Sequence, residues 1–192
     1  DMALNKEKGL LRWKLAQYFE IRWWNSYLKN KDQKSYLSWK SKYWSNLLEK
    51  CQALVPDIDL KWDSENVKVW DAGCGPAGIF LVFQKSSVLA TDPLLDVYQE
   101  RNILLKQGKI NVNFQKQKLE DVHKTEEIDY IFCMNALNHV ADIKLCAHNL
   151  YQTLKKGGYL ILSIDSHQFK ALKKLFRLMP GDILHPHQMD IY

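Results

Sequence analysis

Asp71-Ala72-Gly73-Cys74-Gly75-Pro76-Ala77-Gly78 follows directly on the β-branched, apolar run Val67-Lys68-Val69-Trp70. The run reads as a buried strand. The glycines read as a tight turn that opens a helix over Ile79-Phe80-Leu81-Val82-Phe83. Glycine is needed there for two physical reasons: the chain reverses sharply, and the backbone comes within contact distance of a ligand, which a Cβ would prevent. An acid, Asp71, stands two residues before the first glycine.

Working outward, Ser86-Ser87-Val88-Leu89-Ala90-Thr91 reads as a second short strand that ends in Asp92-Pro93. An acid about 20 residues past such a glycine turn, at the carboxyl end of the second strand, is where ribose hydroxyls are held. A helical stretch from Leu94 to Gln107 comes next, with Gly108 as its C-cap. Asn111 to Phe114 fits a third strand and Ile128 to Asn135 a fourth. Leu150 to Leu154 closes a helix, and Lys155-Lys156-Gly157-Gly158 leads into a fifth strand, Tyr159 to Leu162. Glycine at that junction stops the helix and lets the strand leave in a new direction.

The G-x-G-x-x-G spacing is shared by dinucleotide-binding turns. Asp71 ahead of Gly-Cys-Gly, however, resembles motif I of the class I S-adenosyl-L-methionine (SAM) dependent methyltransferases, whereas a nicotinamide-binding turn more often has an apolar or small residue at that position. Ile128-Asp129-Tyr130-Ile131 resembles the family's "FDxV" fourth strand, and Ala136-Leu137-Asn138-His139-Val140 its "ALHHV" segment. Leu150 to Leu162 resembles "LxxxLKPGGxLxxxx". Four motifs in order, over roughly residues 67 to 165, are far more specific than one, and they are similar to the small-molecule, UbiE-like group.

The resemblance implies an α/β fold, a three-layer Rossmann-like parallel sheet with helices on both faces. It implies SAM as cofactor, with Asp71, Ala72, Gly73, Cys74, Gly75 and Gly78 forming the cradle. Asp92, next to Pro93, would bridge the two ribose hydroxyls, and Asn135 and Ala136 would border the site after the fourth strand. Two departures stand out. Lys118 falls where the family often has an Asp that accepts from the adenine amino group, and lysine has no acceptor. Either Glu120 takes over, or the backbone, such as the Leu119 amide, holds adenine alone. The family sheet also usually finishes with a C-terminal β-hairpin. Here no strand-like run follows the helix-like Phe169 to Leu178, so a truncated or degenerate sheet edge is expected.

Among side chains that could act on a proton, His139 is the candidate catalytic residue, because it follows the fourth strand at the ligand-binding edge. A packed loop histidine is the competing reading. Asp165 reads as a helix N-cap, with His167 beside it on the substrate side. His185-Pro186-His187 lacks a third ligand, so no metal is expected. An Asn/Asp-Pro-Pro-aromatic motif of DNA amino-methyltransferases is absent from Met134-Asn135-Ala136-Leu137, which argues against nucleic acid as the substrate.

The net charge of +5 hides an asymmetry: residues 1–50 hold 11 Lys and Arg against 5 Asp and Glu, and the remainder 16 against 17. The same 50 residues carry 10 of the 23 aromatic residues, including Trp13, Trp23, Trp24, Trp39 and Trp44. They read as two helices, Lys6 to Lys29 and Gln33 to Leu54, broken at Asn30-Lys31-Asp32. Leu11, Leu15, Tyr18, Phe19 and Trp23 share one face of the first, and Tyr36, Trp39, Tyr43, Trp44, Leu47 and Leu48 one face of the second. Residues 1–56 are thus expected as an aromatic helical cap, and 57–192 as the SAM-binding domain. Trp23, Trp24 and Tyr43 are the cap's candidate substrate contacts. The cap leaves three roles open: closing the cofactor cleft, packing in a homodimer, or touching an anionic membrane surface or nucleic acid.

Four scattered cysteines form neither a disulfide framework nor a zinc spacing. No apolar run is long enough to cross a membrane, and no signal-peptide pattern opens the chain, so a cytoplasmic protein is expected. The function expected is methyl transfer from SAM to a small or lipophilic acceptor, aromatic or quinone-like, by in-line displacement. Its rivals are a nicotinamide-dependent oxidoreductase and a non-catalytic SAM-binding or partner-binding module.

Overall fold

The computed structural model describes residues 15, 17–29, 31–105, 111–122 and 127–164. Five strands, β1 (Lys68–Ala72), β2 (Ser87–Thr91), β3 (Val112–Gln115), β4 (Ile128–Met134) and β5 (Leu154–Ser163), form one sheet in the order β3-β2-β1-β4-β5. Every pairing is parallel. Parallel strands need crossovers, and crossovers put helices on both faces, so the central strands are buried twice and read as apolar runs. The expected three-layer α/β sheet is what forms.

Each face has its own core. Val69, Val88, Ala90 and Phe132 turn to one side, against Tyr36 and Trp44 of helix α2 (Gln33–Leu54) and the buried Ile79, Phe80 and Leu81. Trp70, Ala72, Ile131 and Cys133 turn to the other, against Cys146 and Leu150 of helix α4 (Ile143–Thr153). Both helices start on an aspartate cap: Asp32 accepts from the Ser35 N–H, and Asp142 from those of Lys144 and Leu145. α2 occupies the residues its sequence pattern predicts. Helix α1 is described over residues 17–28.

Four local expectations are corrected. Residues 79–83 do not open an α-helix but make a 3₁₀ turn, Ile79–Val82. Ile-Phe-Leu-Val-Phe has no polar face to give to water, and Ile79, Phe80, Leu81 and Phe83 are all fully buried. The Asp63 carboxylate then halts the turn by accepting from the N–H groups of Gln84, Lys85 and Ser86, at 2.9, 2.7 and 3.0 Å.

The helix expected from Leu94 to Gln107 is only α3 (Leu95–Glu100). Asn102, at φ +54°, ends it, and the N–H groups of Ile103 and Leu104 return to the Tyr98 carbonyl. Gly108 lies outside the described residues. The glycine pair 157–158 does not stop α4, which ends at Thr153. It sits in a bulge of β5, where the register jumps from Ile128↔Leu154 to Tyr130↔Tyr159 and Gly157 takes φ +83°.

The fourth correction concerns which face of α1 is buried. Leu15, Tyr18 and Trp23 are about half exposed, while Ile21, Trp24 and Leu28 pack on Leu94, Tyr98 and Ile103. On α2, likewise, Tyr36 and Trp44 are buried while Trp39 and Tyr43 stay outside. The aromatic residues are plentiful enough to make two stripes, and periodicity alone did not separate them. Residues 165–192, with Asp165, His167, His185, His187 and the expected sheet edge, lie outside the described residues, as do 1–14.

Candidate cofactor and methyl-transfer site

The carboxyl ends of β1 and β2 bring two carboxylates to the glycine turn. Asp71 is buried, and its Oδ2 accepts from the Phe80 N–H at 3.0 Å, which ties the turn back onto the strand. A Cβ on Gly78 would overlap that same oxygen, so the glycine is there to let Asp71 reach the backbone. Gly73, at φ +76°, leaves a space that the Ala136 Cβ fills from the end of β4. Gly75, at φ +57°, faces no backbone atom: a Cβ there would meet only the Trp24 ring, at 4.0 Å. A side chain other than glycine would be strained at both backbone angles.

Asp92 completes the cradle. Its Oδ2 accepts from the Gly75 N–H at 2.9 Å and its Oδ1 from the Leu94 N–H at 2.8 Å. The Asp-Pro pair thus closes a side-chain turn that aims the carboxylate at the glycines. Burial raises the pKa of Asp92 to about 7, with the negative charge of Glu20 adding to the rise and the two N–H bonds opposing it. Burial likewise raises Asp71 to about 7, against the Phe80 and Ile79 N–H bonds; the Asp92 charge adds and Lys40 subtracts. Cys74, between them, is pushed well up by burial and by both acids, so its thiol stays protonated and inert.

Three residues that the sequence reading did not assign to the cofactor site converge here. Glu20 of α1 accepts from the Tyr98 hydroxyl at 3.3 Å, and burial raises its pKa. Lys40 of α2 stands over the rings of Trp44 and Tyr43, at 4.5 and 4.7 Å, and within reach of the Asp71 charge. Trp44, expected only as part of an apolar stripe, donates its indole N–H to the Ala77 carbonyl at 3.0 Å. Glu20 had a legible signal: it is an acid on an otherwise apolar stripe with Trp24 and Leu28 at helical spacing. For Lys40, one of many lysines, there was none.

The other expected site residues are spread more widely. Ala136 lies at the turn itself, and Pro93 follows Asp92. Asn135, at φ +54°, donates its N–H to the Ser163 carbonyl at 2.9 Å, joining the ends of β4 and β5 at that edge. His139 is partly buried in a 3₁₀ turn, Leu137–His139, directly after β4. Leu119 is buried, and Glu120 turns its carboxylate to the Ala141 N–H at 2.7 Å, fastening the loop before α4. Trp24 alone of the three cap candidates reaches the glycine turn. Trp23 stacks on Tyr27 and Tyr43 on Trp39, both about half exposed.

Two anionic groups around a turn with room beside Gly75 fit a ligand that is a nucleoside carrying positive charge, and SAM, with its sulfonium and ammonium groups, is such a ligand. The fold and this cradle define a class I, SAM-binding α/β protein. Residues 63–188 match the methyltransferase domain family, and the chain belongs to that family. Its cofactor is S-adenosyl-L-methionine, and the nicotinamide alternative falls away.

Among curated proteins the chain is similar to the ubiquinone biosynthesis O-methyltransferase of Coxiella burnetii, 26% identical over 160 residues, covering 71% of this chain and 67% of that protein. The enzyme of the same name from Rickettsia prowazekii is 27% identical over 111 residues, covering 57% and 44%. The chain therefore spans from under half to two thirds of these relatives. Among solved structures, a phosphoethanolamine N-methyltransferase of Haemonchus contortus, in complex with phosphomonomethylethanolamine and S-adenosylhomocysteine, shares the fold. Its TM-score is 0.55 at 17% identity, over 77% of this chain and 34% of that one.

Proposed function

We propose that the protein transfers the methyl group of SAM to a hydroxyl of a small, lipophilic, phenolic or quinone-like acceptor, releasing S-adenosylhomocysteine. The observation that carries this is the joining of Asp71, Gly73–Gly75 and Asp92 in one cradle with an aromatic helix laid over it. The likeness to ubiquinone biosynthesis O-methyltransferases supports oxygen as the methyl acceptor and a quinone-like ring as its carrier.

In this reading Asp92 receives the ribose hydroxyls, and Asp71 holds the turn in shape through Phe80 and Ile79. SAM, when bound, supplies an electrophilic methyl on a sulfonium. The chain's own contribution is to orient it and to exclude water, which is where most of the rate arises. An acceptor hydroxyl held in line with that methyl would take it as S-adenosylhomocysteine leaves, and its proton would pass to His139 or to water. Residues 1–56 serve as a cap over the cleft and 57–192 as the catalytic domain, with Trp24 the cap residue closest to the cofactor. What recommends the membrane-contact and homodimer roles is the exposed Trp23, Trp39 and Tyr43 beside Lys31 and Lys40; no described helix is long and apolar enough to cross a membrane.

The test is calorimetric titration with SAM, followed by turnover on a catechol and a hydroquinone with alkyl tails, detecting the methyl ether by mass spectrometry. Binding with methyl ether formation is the expected result. Tight SAM binding with no product from either acceptor would favour a non-catalytic SAM-binding module, and no SAM binding would remove the proposal.

A further inference from the structure

A cavity of about 450 Å³ lies one helical turn beyond Trp24, where α1, the start of α2 and the segment 101–105 meet. Its cations are Lys29, Lys31 and Arg101, and among the described residues no acidic one lines it. Its apolar wall is made by Leu28, Ile103 and Leu105. Neither Asp71, Gly75 nor Asp92 takes part, so it is separate from the cofactor cradle. Two hydrogen bonds brace it. Gln33 Nε2 donates to the Asn102 carbonyl at 3.3 Å, and the Leu105 N–H donates to the Pro76 carbonyl, inside the glycine turn, at 2.8 Å.

Acids adjoin it along the chain without lining it: Glu100 precedes Arg101, and Asp32, whose Oδ2 accepts from the Ser35 N–H at 2.8 Å, borders an adjoining hollow. Lys31 and Tyr36 line both this cavity and the adjoining hollow, and the Lys31 ammonium lies over Tyr27, in that hollow, and over Tyr36, at 3.5 and 5.2 Å. No ion pair to Lys29 or Arg101 occurs among the described residues. A concave site with an apolar wall and three cations at its rim suits a ligand with one apolar end and one anionic end.

We propose that this cavity binds a small organic anion, a phosphate or carboxylate on a short aliphatic or aromatic body, and that the ligand ties α1 to α2 and to the 101–105 segment. Because Glu20 and Trp24 lie on the same helix, the occupant steadies the cap over the cofactor turn. The site does not depend on the transfer chemistry for its recognition of the ligand.

The whole chain is titrated by calorimetry with hexyl phosphate, with inorganic phosphate and 1-hexanol in separate arms. Single-site binding of hexyl phosphate is expected, at least about tenfold tighter than either fragment, since the fragments each engage one half of the site. Lys29→Gln with Arg101→Gln, both at exposed positions that the fold tolerates, should weaken it by about tenfold or more. Hydrogen exchange over residues 21–29 should slow when hexyl phosphate is bound. Affinity unchanged in the double variant, no saturable binding by the unaltered protein, or unaltered exchange over 21–29 would each overturn the proposal.

Discussion

At the scale of single residues, the two aspartates decide what the turn can hold. In the proposed site Asp92 would offer charge-assisted hydrogen bonds to the ribose, each worth about 1.5–3 kcal/mol. Asp92→Ala is therefore expected to weaken SAM binding by about ten- to a thousandfold in calorimetry. Gly75 is constrained by its φ of +57° and, in the proposed site, would also lie against the cofactor. Gly75→Val should abolish SAM binding in protein that is still folded by circular dichroism; retained affinity would mean that this turn is not the cradle. His139 is a weaker lever. It sits partly buried in a turn directly after β4, and positioning carries the rate, so His139→Asn should lower kcat by less than about tenfold. A thousandfold loss, with a limb of the pH–rate profile gone, would instead make it the base.

At the scale of elements, α1 and α2 are fastened to the glycine turn by particular side chains. Trp24 packs on Leu94, Tyr98 and Ile103, whereas Trp23, one residue away, is half exposed. Trp24→Ala should cost about 2–4 kcal/mol in chemical denaturation, and Trp23→Ala less than about 1 kcal/mol. Equal losses would mean that the helix is rotated from the orientation described. The indole of Trp44 bonds the Ala77 carbonyl from across the core. Its loss in Trp44→Phe should cost about 1–2 kcal/mol, by leaving a buried carbonyl unpaired. The Trp24 change should also weaken SAM affinity, because its ring forms the far wall beside Gly75.

At the scale of the whole molecule, buried acids of opposite tendency set the pH dependence. Asp71 and Asp92 have folded pKa values raised to about 7, so the folded state binds protons that the unfolded chain releases near pH 4. Their contribution is present at low pH and is lost as pH rises through the window from about 4 to 7. Asp63 works the other way: burial would raise it, but its three backbone N–H bonds outweigh that and hold it low, so its contribution is lost as pH falls through the acid range. Thermal stability without cofactor should therefore peak in mild acid and fall by several degrees between pH 5 and 8, a fall that Asp92→Asn should flatten. Cationic SAM should stabilise more at pH 8 than at pH 5.5, since it favours ionised acids. A melting temperature independent of pH over 5–8 would show the two carboxylates to be better solvated than the structure places them.

The sequence by itself determined the strand order of events: β-branched runs ending at Asp71 and Asp92, and glycines at φ values only glycine accepts comfortably. These are local properties, set by sterics and by the buried centre of a parallel sheet, and so they are legible along the chain. It also marked both ends of α2, Gln33 and Leu54, through its aromatic periodicity and the polar break Asn30-Lys31-Asp32 before it. The tertiary structure alone decided the rest. Which aromatic stripe of α1 faces inward depends on where Leu94, Tyr98 and Ile103 stand, and both stripes were apolar enough to be chosen. The run 79–83 lost its helix because every side chain had to be buried at once, and α3 stopped at Asn102 because the chain there turns back over the glycine turn to reach Pro76 through Leu105. The arrival of Glu20, Lys40 and Trp44 at the cradle is likewise a matter of long-range packing: Tyr98, Asp71 and Ala77, which they meet there, lie tens of residues further along the chain.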